Sequence, residues 1–287
     1  MNGDYFVRKY SPMKKIITVF DGTHYSGGAM NFILDLNHLS PVSVTGIFLN
    51  AVDSSALWAN PMIPGAAINY MTLPSDTART RQLQEQHMIK FEQECMRNDI
   101  PFRIHDDTDG NLFEELKKES KFADLMVISS ELFYKQFGGQ PNDYLKEVLH
   151  NSECPIMLVP ENYVFPACNI LTYDGTDSSV HAIKQFAYVL PELCKNRTIL
   201  VSENGHTGLL PDQIYIEELT LRHFQDLSIH IIEKNEQIDF SKWVGKQPVS
   251  IIVAGAYGRS EFSNLFKKSF VYELIKEHRS PIFVAHK

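Results

Sequence analysis

The sequence predicts an α/β protein made of two tandem, doubly wound domains, each an open parallel sheet of about five strands. Two observations support this prediction. First, the chain contains related segments twice, because residues 16–23 (IITVFDGT) resemble residues 169–176 (NILTYDGT), and such a repeat indicates a duplicated structural unit. Second, short apolar runs alternate with helical patterns in both halves, as in βαβ units whose parallel sheet is covered on both faces.

A second pair of similar segments marks the end of each half. Residues 124–129 lead to residues 154–159 in the first half, as residues 250–255 lead to residues 280–285 in the second. The number of residues that separates the two copies is smaller for this second pair of segments than for the first pair. The first half therefore carries extra residues between its Asp-Gly-Thr triplet and its end.

We place these extra residues in a long loop at about 51–77, because that stretch is rich in Pro, Ala, Ser and Asn. Residues 160–168 contain two prolines and few helix or strand signals, which is typical of a linker. The sequence thus predicts a first domain over residues 1–162 and a second over residues 163–287.

The elements of the first half begin with residues 16–20, a nearly continuous apolar run that predicts a strand buried on both faces. A helix follows, because Ala29, Phe32, Ile33 and Leu36 recur at helical spacing. Further strands are predicted at 44–49, 102–105, 125–128 and 156–159, and further helices at 79–98, 112–121 and 144–149.

The second half repeats this order. Strands are predicted at 170–173, 198–202, 228–232, 250–254 and 282–285, and helices at 178–190, 213–225 and 269–278. A strand that ends a sheet exposes unpaired backbone groups, so the last strands of the two halves, 156–159 and 282–285, are expected to pair with each other.

Composition and charge limit the functional classes. The chain has 287 residues, and its 27 basic and 35 acidic side chains give a net charge of −8, which argues against nucleic acid or an anionic membrane surface as a partner. No apolar run approaches the roughly 18 residues that a membrane-spanning helix needs, and the N-terminal residues do not resemble a secretory signal. The four cysteines lack CxxC spacing, so we expect free thiols in a reducing cytoplasm.

Acidic residues follow the first strand of each half, at Asp21 and Asp174. In doubly wound folds, ligands bind at the carboxyl ends of the strands where the strand order reverses. A carboxylate there can accept hydrogen bonds from a ribose hydroxyl or an adenine amino group. The alternative is turn chemistry, since Asp-Gly after a strand is also a common turn and helix-entry signal.

A glycine pair follows the fourth strand of the second half, at Gly255 and Gly258. Glycines allow a backbone to approach phosphates closely. Arg259 and Lys268 add positive charge, and Ser269, which opens the predicted last helix, adds a hydroxyl and the helix dipole. The alternative is that the pair forms only a turn, since glycine spacing by itself is a weak signal.

The first half lacks this feature, because Ser129, Ser130 and Glu131 follow its fourth strand. The Glu131 carboxylate would repel a phosphate. If one half binds a nucleotide, the sequence therefore favours the second.

A cluster of candidate metal ligands, His105, Asp106, Asp107 and Asp109, precedes Gly110. A solvated loop that caps the next helix is favoured over a metal site there. We predict no metal held by protein ligands, and no catalytic residues, because neither a zinc-enzyme motif nor a nucleophile with an identifiable base is evident.

Together these segments resemble the universal stress protein family, and the whole chain resembles a tandem member of it. The nucleotide-binding members carry an aspartate after strand one, matched by Asp174, and a G-x2-G-x9-G-(S/T) loop, matched by Gly255, Gly258 and Ser269. Lys268 stands where the family has its third glycine. In the first half Asp21 alone matches, as a remnant.

The resemblance implies an adenine-nucleotide alpha-hydrolase-like fold, with the halves paired as a pseudo-dimer; a higher homo-oligomer remains open. It implies a stress-response or regulatory protein, not an enzyme, with an unidentified protein partner. ATP or another adenine nucleotide would bind through the matched residues and the backbone near Val201. The alternatives are a ligand-free interaction scaffold with degenerate sites and, third, a slow nucleotide hydrolase.

Overall fold

The computed structural model describes residues 13–21, 24–49, 74–106, 112–131, 152–203, 209–232, 240–256 and 278–286. The strands in these ranges are β1 (Lys14–Asp21), β2 (Val42–Leu49), β3 (Phe102–Asp106), β4 (Leu125–Ser129), β5 (Ile156–Val159), β6 (Cys168–Thr172), β7 (Arg197–Glu203), β8 (Asp226–Ile232), β9 (Ser250–Ala256) and β10 (Ile282–His286). The α-helices there are α1 (Gly27–Leu39), α2 (Pro74–Arg97), α3 (Leu112–Ser120), α4 (Asp177–Val189), α5 (Gln213–His223) and α6 (Phe240–Val244). A 3₁₀ turn spans Leu193–Lys195. None of the described helices combines the length and the apolar character needed to cross a bilayer.

The strands form one ten-stranded sheet in the order β3-β2-β1-β4-β5-β10-β9-β6-β7-β8. Within each half all strand pairs are parallel. The halves meet where β5 and β10 pair antiparallel, with Met157 opposite Phe283. The last strands of the two halves thus pair with each other, as the sequence predicts, and neither forms an edge of the sheet.

Strand burial follows position in the sheet. β4, β5 and β6 are buried at every residue, as expected for parallel strands covered on both faces. β8, at one end of the sheet, is mostly exposed.

Two of the helices begin at local capping signals. The Ser26 hydroxyl accepts a hydrogen bond from the backbone N–H of Ala29 at 3.1 Å and so starts α1, and Thr176 does the same for Ser179 of α4 at 3.3 Å. Each bond satisfies an N–H that has no partner within the helix.

The core is continuous across the two halves. On one face, apolar side chains of α1, α2, α4 and α5 pack on the sheet, and on the other face those of α3 and α6 do so. The central strands β5 and β10 contribute to both cores. Phe283 of β10 is fully buried, and its ring centroid lies 5.3 Å from that of Phe186 in α4.

Most predicted elements are present, with ends that shift by a few residues. The predicted loop at 51–77 is wrong at its end, because α2 already begins at Pro74; proline favours the first position of a helix, where its missing N–H costs nothing. The five-residue helix α6 was not predicted, because it is too short to show a period. The rest of that loop, the predicted helix at 144–149 and all but the last residue of the one at 269–278 lie outside the described residues. The domain boundaries at 162 and 163 stay a prediction.

Candidate functional site

The strand order of the second half reverses between β6 and β9. The chain passes from β6 outward to β7 and β8 and then returns to β9 on the other side of β6. Asp174 lies two residues after the end of β6, and Gly255 lies near the end of β9. The Thr172 hydroxyl joins the two strand ends by donating a hydrogen bond to the Val253 carbonyl oxygen at 2.9 Å. Both predicted residues therefore lie at the reversal point, where ligands bind in such sheets.

The Asp174 side chain is exposed and shapes the entry to α4. One carboxylate oxygen, Oδ1, accepts hydrogen bonds from the Thr176 backbone N–H at 3.0 Å and from the Thr176 hydroxyl at 2.6 Å. Gly175 between them has φ +82°, a backbone conformation that favours glycine. The turn chemistry considered for Asp-Gly is thus present. A carboxylate has about four acceptor positions, so this turn does not preclude a ligand.

Gly255 lets helix α4 approach the end of strand β9. A Cβ at this position would collide with the backbone carbonyl of Ser178 and would lie 2.5 Å from the backbone nitrogen of Ser179. The close packing of α4 therefore explains why a glycine is needed at this position. The glycine spacing in the sequence could equally have reflected the approach of a phosphate, and the sequence alone does not separate these two reasons. The start of α4 lies beside the end of β9, so that α4, β9 and Asp174 form one corner of the second half.

The strand residues beside this corner are buried. The Val201 side chain is 3% exposed, and its carbonyl oxygen accepts a hydrogen bond from the Tyr173 backbone N–H at 2.8 Å. The Tyr173 hydroxyl donates to the Pro211 carbonyl oxygen at 2.8 Å. Burial raises the pKa of Tyr173, and the charges of Asp212 and Asp174 raise it further. Tyr173 therefore stays protonated at neutral pH and fastens the segment before α5 to the end of β6.

The other predicted site residues of the second half, Gly258, Arg259, Lys268 and Ser269, lie outside the described residues. The described part of the site therefore consists of Asp174, Gly255 and Val201. In the first half, Asp21 is the last residue of β1, in register with Leu49 of β2.

The corresponding corner of the first half contains a carboxylate that the sequence motifs did not reveal, that of Glu161. Its Oε1 accepts a hydrogen bond from the Ser129 hydroxyl at 2.7 Å, and its Oε2 accepts one from the backbone N–H of Gly28 at 3.3 Å. Ser129 ends β4, and Gly28 lies in the first turn of α1. The residue falls in the predicted linker, where no motif surrounds it; the available signal was an acid two residues after the last strand of the half.

A second acid of the first half, Glu131, holds the backbone of Glu161. Both Glu131 carboxylate oxygens lie 3.0 Å from the Glu161 backbone nitrogen, which donates to them. The Ser130 hydroxyl donates to Glu131 at 3.1 Å and is 2.9 Å from Nδ1 of His278, a second-half residue just before β10.

The cluster weighed as a metal-site alternative in the first half is only partly described. His105 Nε2 lies 3.5 Å from a carboxylate oxygen of Glu119, which also pairs with Lys15 at 2.6 Å. Among the described residues, no group of three or more acidic, histidine or cysteine side chains is arranged to hold a metal ion. Asp107 and Asp109 lie outside those residues.

All four cysteines are buried and free of disulfides. Burial raises the pKa of the Cys95, Cys154 and Cys194 thiols to about 12 and also raises that of Cys168. These thiols are therefore protonated at neutral pH, and a protonated thiol is a poor nucleophile.

No protein-family model and no curated protein sequence matches the chain. Solved structures do. A universal stress protein from Archaeoglobus fulgidus superposes with a TM-score of 0.65 at 12% identity, over 96% of this chain and 96% of its own. A putative universal stress protein from Pseudomonas aeruginosa gives a TM-score of 0.53 at 14% identity, over 96% and 93% of the two chains.

A third structure, a functionally unknown protein from Pseudomonas aeruginosa, gives a TM-score of 0.54 at 13% identity, over 96% of this chain and 92% of its own. Each match extends over nearly the whole chain, so the likeness includes both halves. Sequence identities this low show that the chains share a fold, and they do not show that the chains share an activity. The chain has the fold of the universal stress proteins, as the sequence resemblance implies.

Proposed function

We propose that this chain is a cytosolic stress-response or regulatory protein of the universal stress protein family, and that its second half binds an adenine nucleotide such as ATP. The supporting observation is the corner at the strand reversal, where Asp174, Gly255 and the first turn of α4 come together. The four buried, unpaired cysteines support a reducing compartment.

Each part of the site would contribute a different contact. The Asp174 carboxylate would accept hydrogen bonds from the ribose hydroxyls or the adenine amino group. The backbone near Val201 would contact the base, and Gly258, Arg259, Lys268 and Ser269 would surround the phosphates. The phosphates need this local positive charge because the chain as a whole carries a net charge of −8.

The proposed role is binding rather than catalysis. A nucleotide shifts a conformational equilibrium only by its difference in affinity for the two states. Binding at this corner would change the conformation of the turn before α4 and of the segment held by Tyr173. These changes would alter a surface that a protein partner contacts.

A second candidate function, a ligand-free interaction scaffold, is favoured by a different observation. The outer face of α5 exposes Ile214, Tyr215 and Leu221 at 78%, 74% and 67% of their surfaces. Lys268, in place of the family's third glycine, would then fill the phosphate site.

Mass spectrometry of nucleotide released from the denatured protein, followed by binding measurements on variants, separates these functions. We expect a bound adenine nucleotide, and we expect Asp174→Ala and Gly258→Val to weaken ATP binding at least tenfold. Because Asp174 also shapes the turn before α4, Asp174→Asn, which keeps one acceptor oxygen, controls for misfolding. Glu218→Ala removes an exposed carboxylate of α5, outside this corner, and should bind normally.

The scaffold function would be supported instead if the natural sequence binds no nucleotide and Lys268→Gly gains binding. Release of ADP that persists in both Asp174→Ala and Gly258→Val would point to hydrolysis at another place in the molecule.

A further inference from the structure

We propose that the first half carries its own anion: the Glu161 carboxylate occupies the corner between β4 and α1 and closes it to outside anions. We call Glu161 and its two donors, Gly28 and Ser129, the carboxylate clamp. This inference does not depend on nucleotide binding by the second half.

The donors of the clamp belong to fixed elements. Ser129 is 2% exposed and lies in register with Val159 of β5. Gly28 is buried in the first turn of α1. Its N–H is among those that have no acceptor within the helix, and the start of a helix attracts negative charge. A buried hydroxyl and a helix N–H thus meet on the two oxygens of one carboxylate.

Gly28 is packed against the segment that carries Glu161. A Cβ at Gly28 would collide with the Pro160 carbonyl oxygen and would lie 2.9 Å from Cα of Glu161. No side chain other than hydrogen is tolerated there while the Glu161 backbone keeps this position.

Glu131 keeps the Glu161 backbone in place. Its two carboxylate oxygens accept from the Glu161 N–H, each at 3.0 Å. It also accepts from Ser130, whose hydroxyl contacts His278 of the second half. Glu131, whose carboxylate would repel a phosphate, therefore also positions the Glu161 carboxylate, which takes the place of a bound phosphate.

The two halves differ at equivalent positions. By the repeat, Ser129 of the first half corresponds to Gly255 of the second. In the second half a glycine at the strand end lets the helix backbone approach. In the first half the strand end carries a hydroxyl directed at Glu161, and the glycine is on the helix. The first half is thus arranged to hold a carboxylate from its own chain.

Chemical rescue tests the clamp. Glu161→Ala removes a CH₂–COO⁻ group, which is the size of acetate. We expect this variant to lose roughly 3–8 °C in Tm, because hydrogen bonds to a charged group are among the stronger ones. Sodium acetate should restore part of the loss with a saturating dependence, whereas sodium chloride at equal ionic strength should not. Inorganic phosphate, which is larger, should restore less.

Two control variants make the test specific. Glu161→Gln keeps the shape but removes the negative charge, and its NH₂ group can donate to the Ser129 hydroxyl oxygen, so it should lose part of the stability that Glu161→Ala loses and show no acetate rescue. Glu192→Ala removes a carboxylate that pairs with the Lys14 ammonium group at 2.7 Å, away from the corner between β4 and α1, and should show no saturable rescue. If Glu161→Ala does not fold, the decrease in Tm of Glu161→Gln relative to the natural protein tests the inference instead.

Three results would overturn the inference: acetate raises the Tm of the natural protein and of Glu161→Ala equally, acetate gives Glu161→Ala no more than chloride does, or Glu161→Gln is as stable as the natural protein. Each would mean that the carboxylate does not bind as an anion at this corner.

Discussion

At the scale of single residues, the two glycines at the helix–strand corners determine how closely each helix approaches the sheet. Gly255 lies on strand β9 and admits the backbone of α4, whereas Gly28 lies on helix α1 and admits the carbonyl of Pro160. Among the described glycines, Gly175 is the one with a positive φ, so neither Gly255 nor Gly28 is needed for a left-handed backbone conformation. Both are needed because a Cβ at either position would have no room.

Two adjacent glycines at the start of α1 provide a matched test of this role. Gly28→Ala should destabilise the protein by about 1–3 kcal/mol, because the cost of overpacking outweighs the gain in helix propensity. Gly27→Ala should be neutral or should stabilise by up to about 1 kcal/mol, because nothing lies within 4 Å of a Cβ there. Urea denaturation measures both; equal effects would contradict the packing assigned to Gly28.

At the scale of elements, the apolar periods in the sequence were sufficient to predict every described strand and all described α-helices except α6. The reason is that strands buried on both faces, such as β4 (Leu125–Ser129), are continuous apolar runs. The residues of the candidate site were harder to predict from the sequence pattern. Asp174 comes shortly after one strand and Gly255 lies near the end of another, so both could be predicted, whereas Glu161 is brought to α1 only by the path of β5, which no local pattern encodes.

The pairing of β5 with β10 predicts which core residue matters to both halves. Phe283→Ala should lower the free energy of unfolding by about 3–5 kcal/mol, because it leaves a cavity beside Phe186 and opposite Met157. The natural protein and the variant should each unfold in a single calorimetric transition, since the core continues through the pair. Leu221→Ala, at a site 67% exposed, should change stability by less than about 0.5 kcal/mol. Two separate transitions, only one of them shifted by Phe283→Ala, would show that the halves unfold independently.

At the scale of the whole molecule, one sheet joins two halves whose corners differ. Polar contacts join them too: Lys14, at the start of β1, lies 2.7 Å from both carboxylate oxygens of Glu192, which follows α4. Burial alone would raise the pKa of the Glu192 carboxyl, but the hydrogen bond and charge of Lys14 and a backbone hydrogen bond outweigh it and hold that pKa below its usual value.

This ion pair predicts a pH dependence with a definite sign. Because the pKa of Glu192 is lower in the folded chain than in the unfolded one, the pair stabilises above the unfolded pKa, and the effect is lost as pH falls through the folded pKa. Glu192→Gln should therefore cost about 0.5–1 kcal/mol at pH 7 and progressively less below a pH of about 4.5. Glu218→Gln, in an ion pair more than half exposed, should cost less at pH 7. A Glu192→Gln cost that does not shrink in acid would contradict the assignment.

The difference between the halves is tested most directly by a calorimetric titration of ATP into the natural protein after bound nucleotide has been removed. We predict one ATP bound per chain, because the second half offers Asp174 at an accessible corner while the Glu161 carboxylate closes the first. Binding of two ATP molecules per chain, or one whose affinity is unchanged by Asp174→Ala, would contradict this assignment.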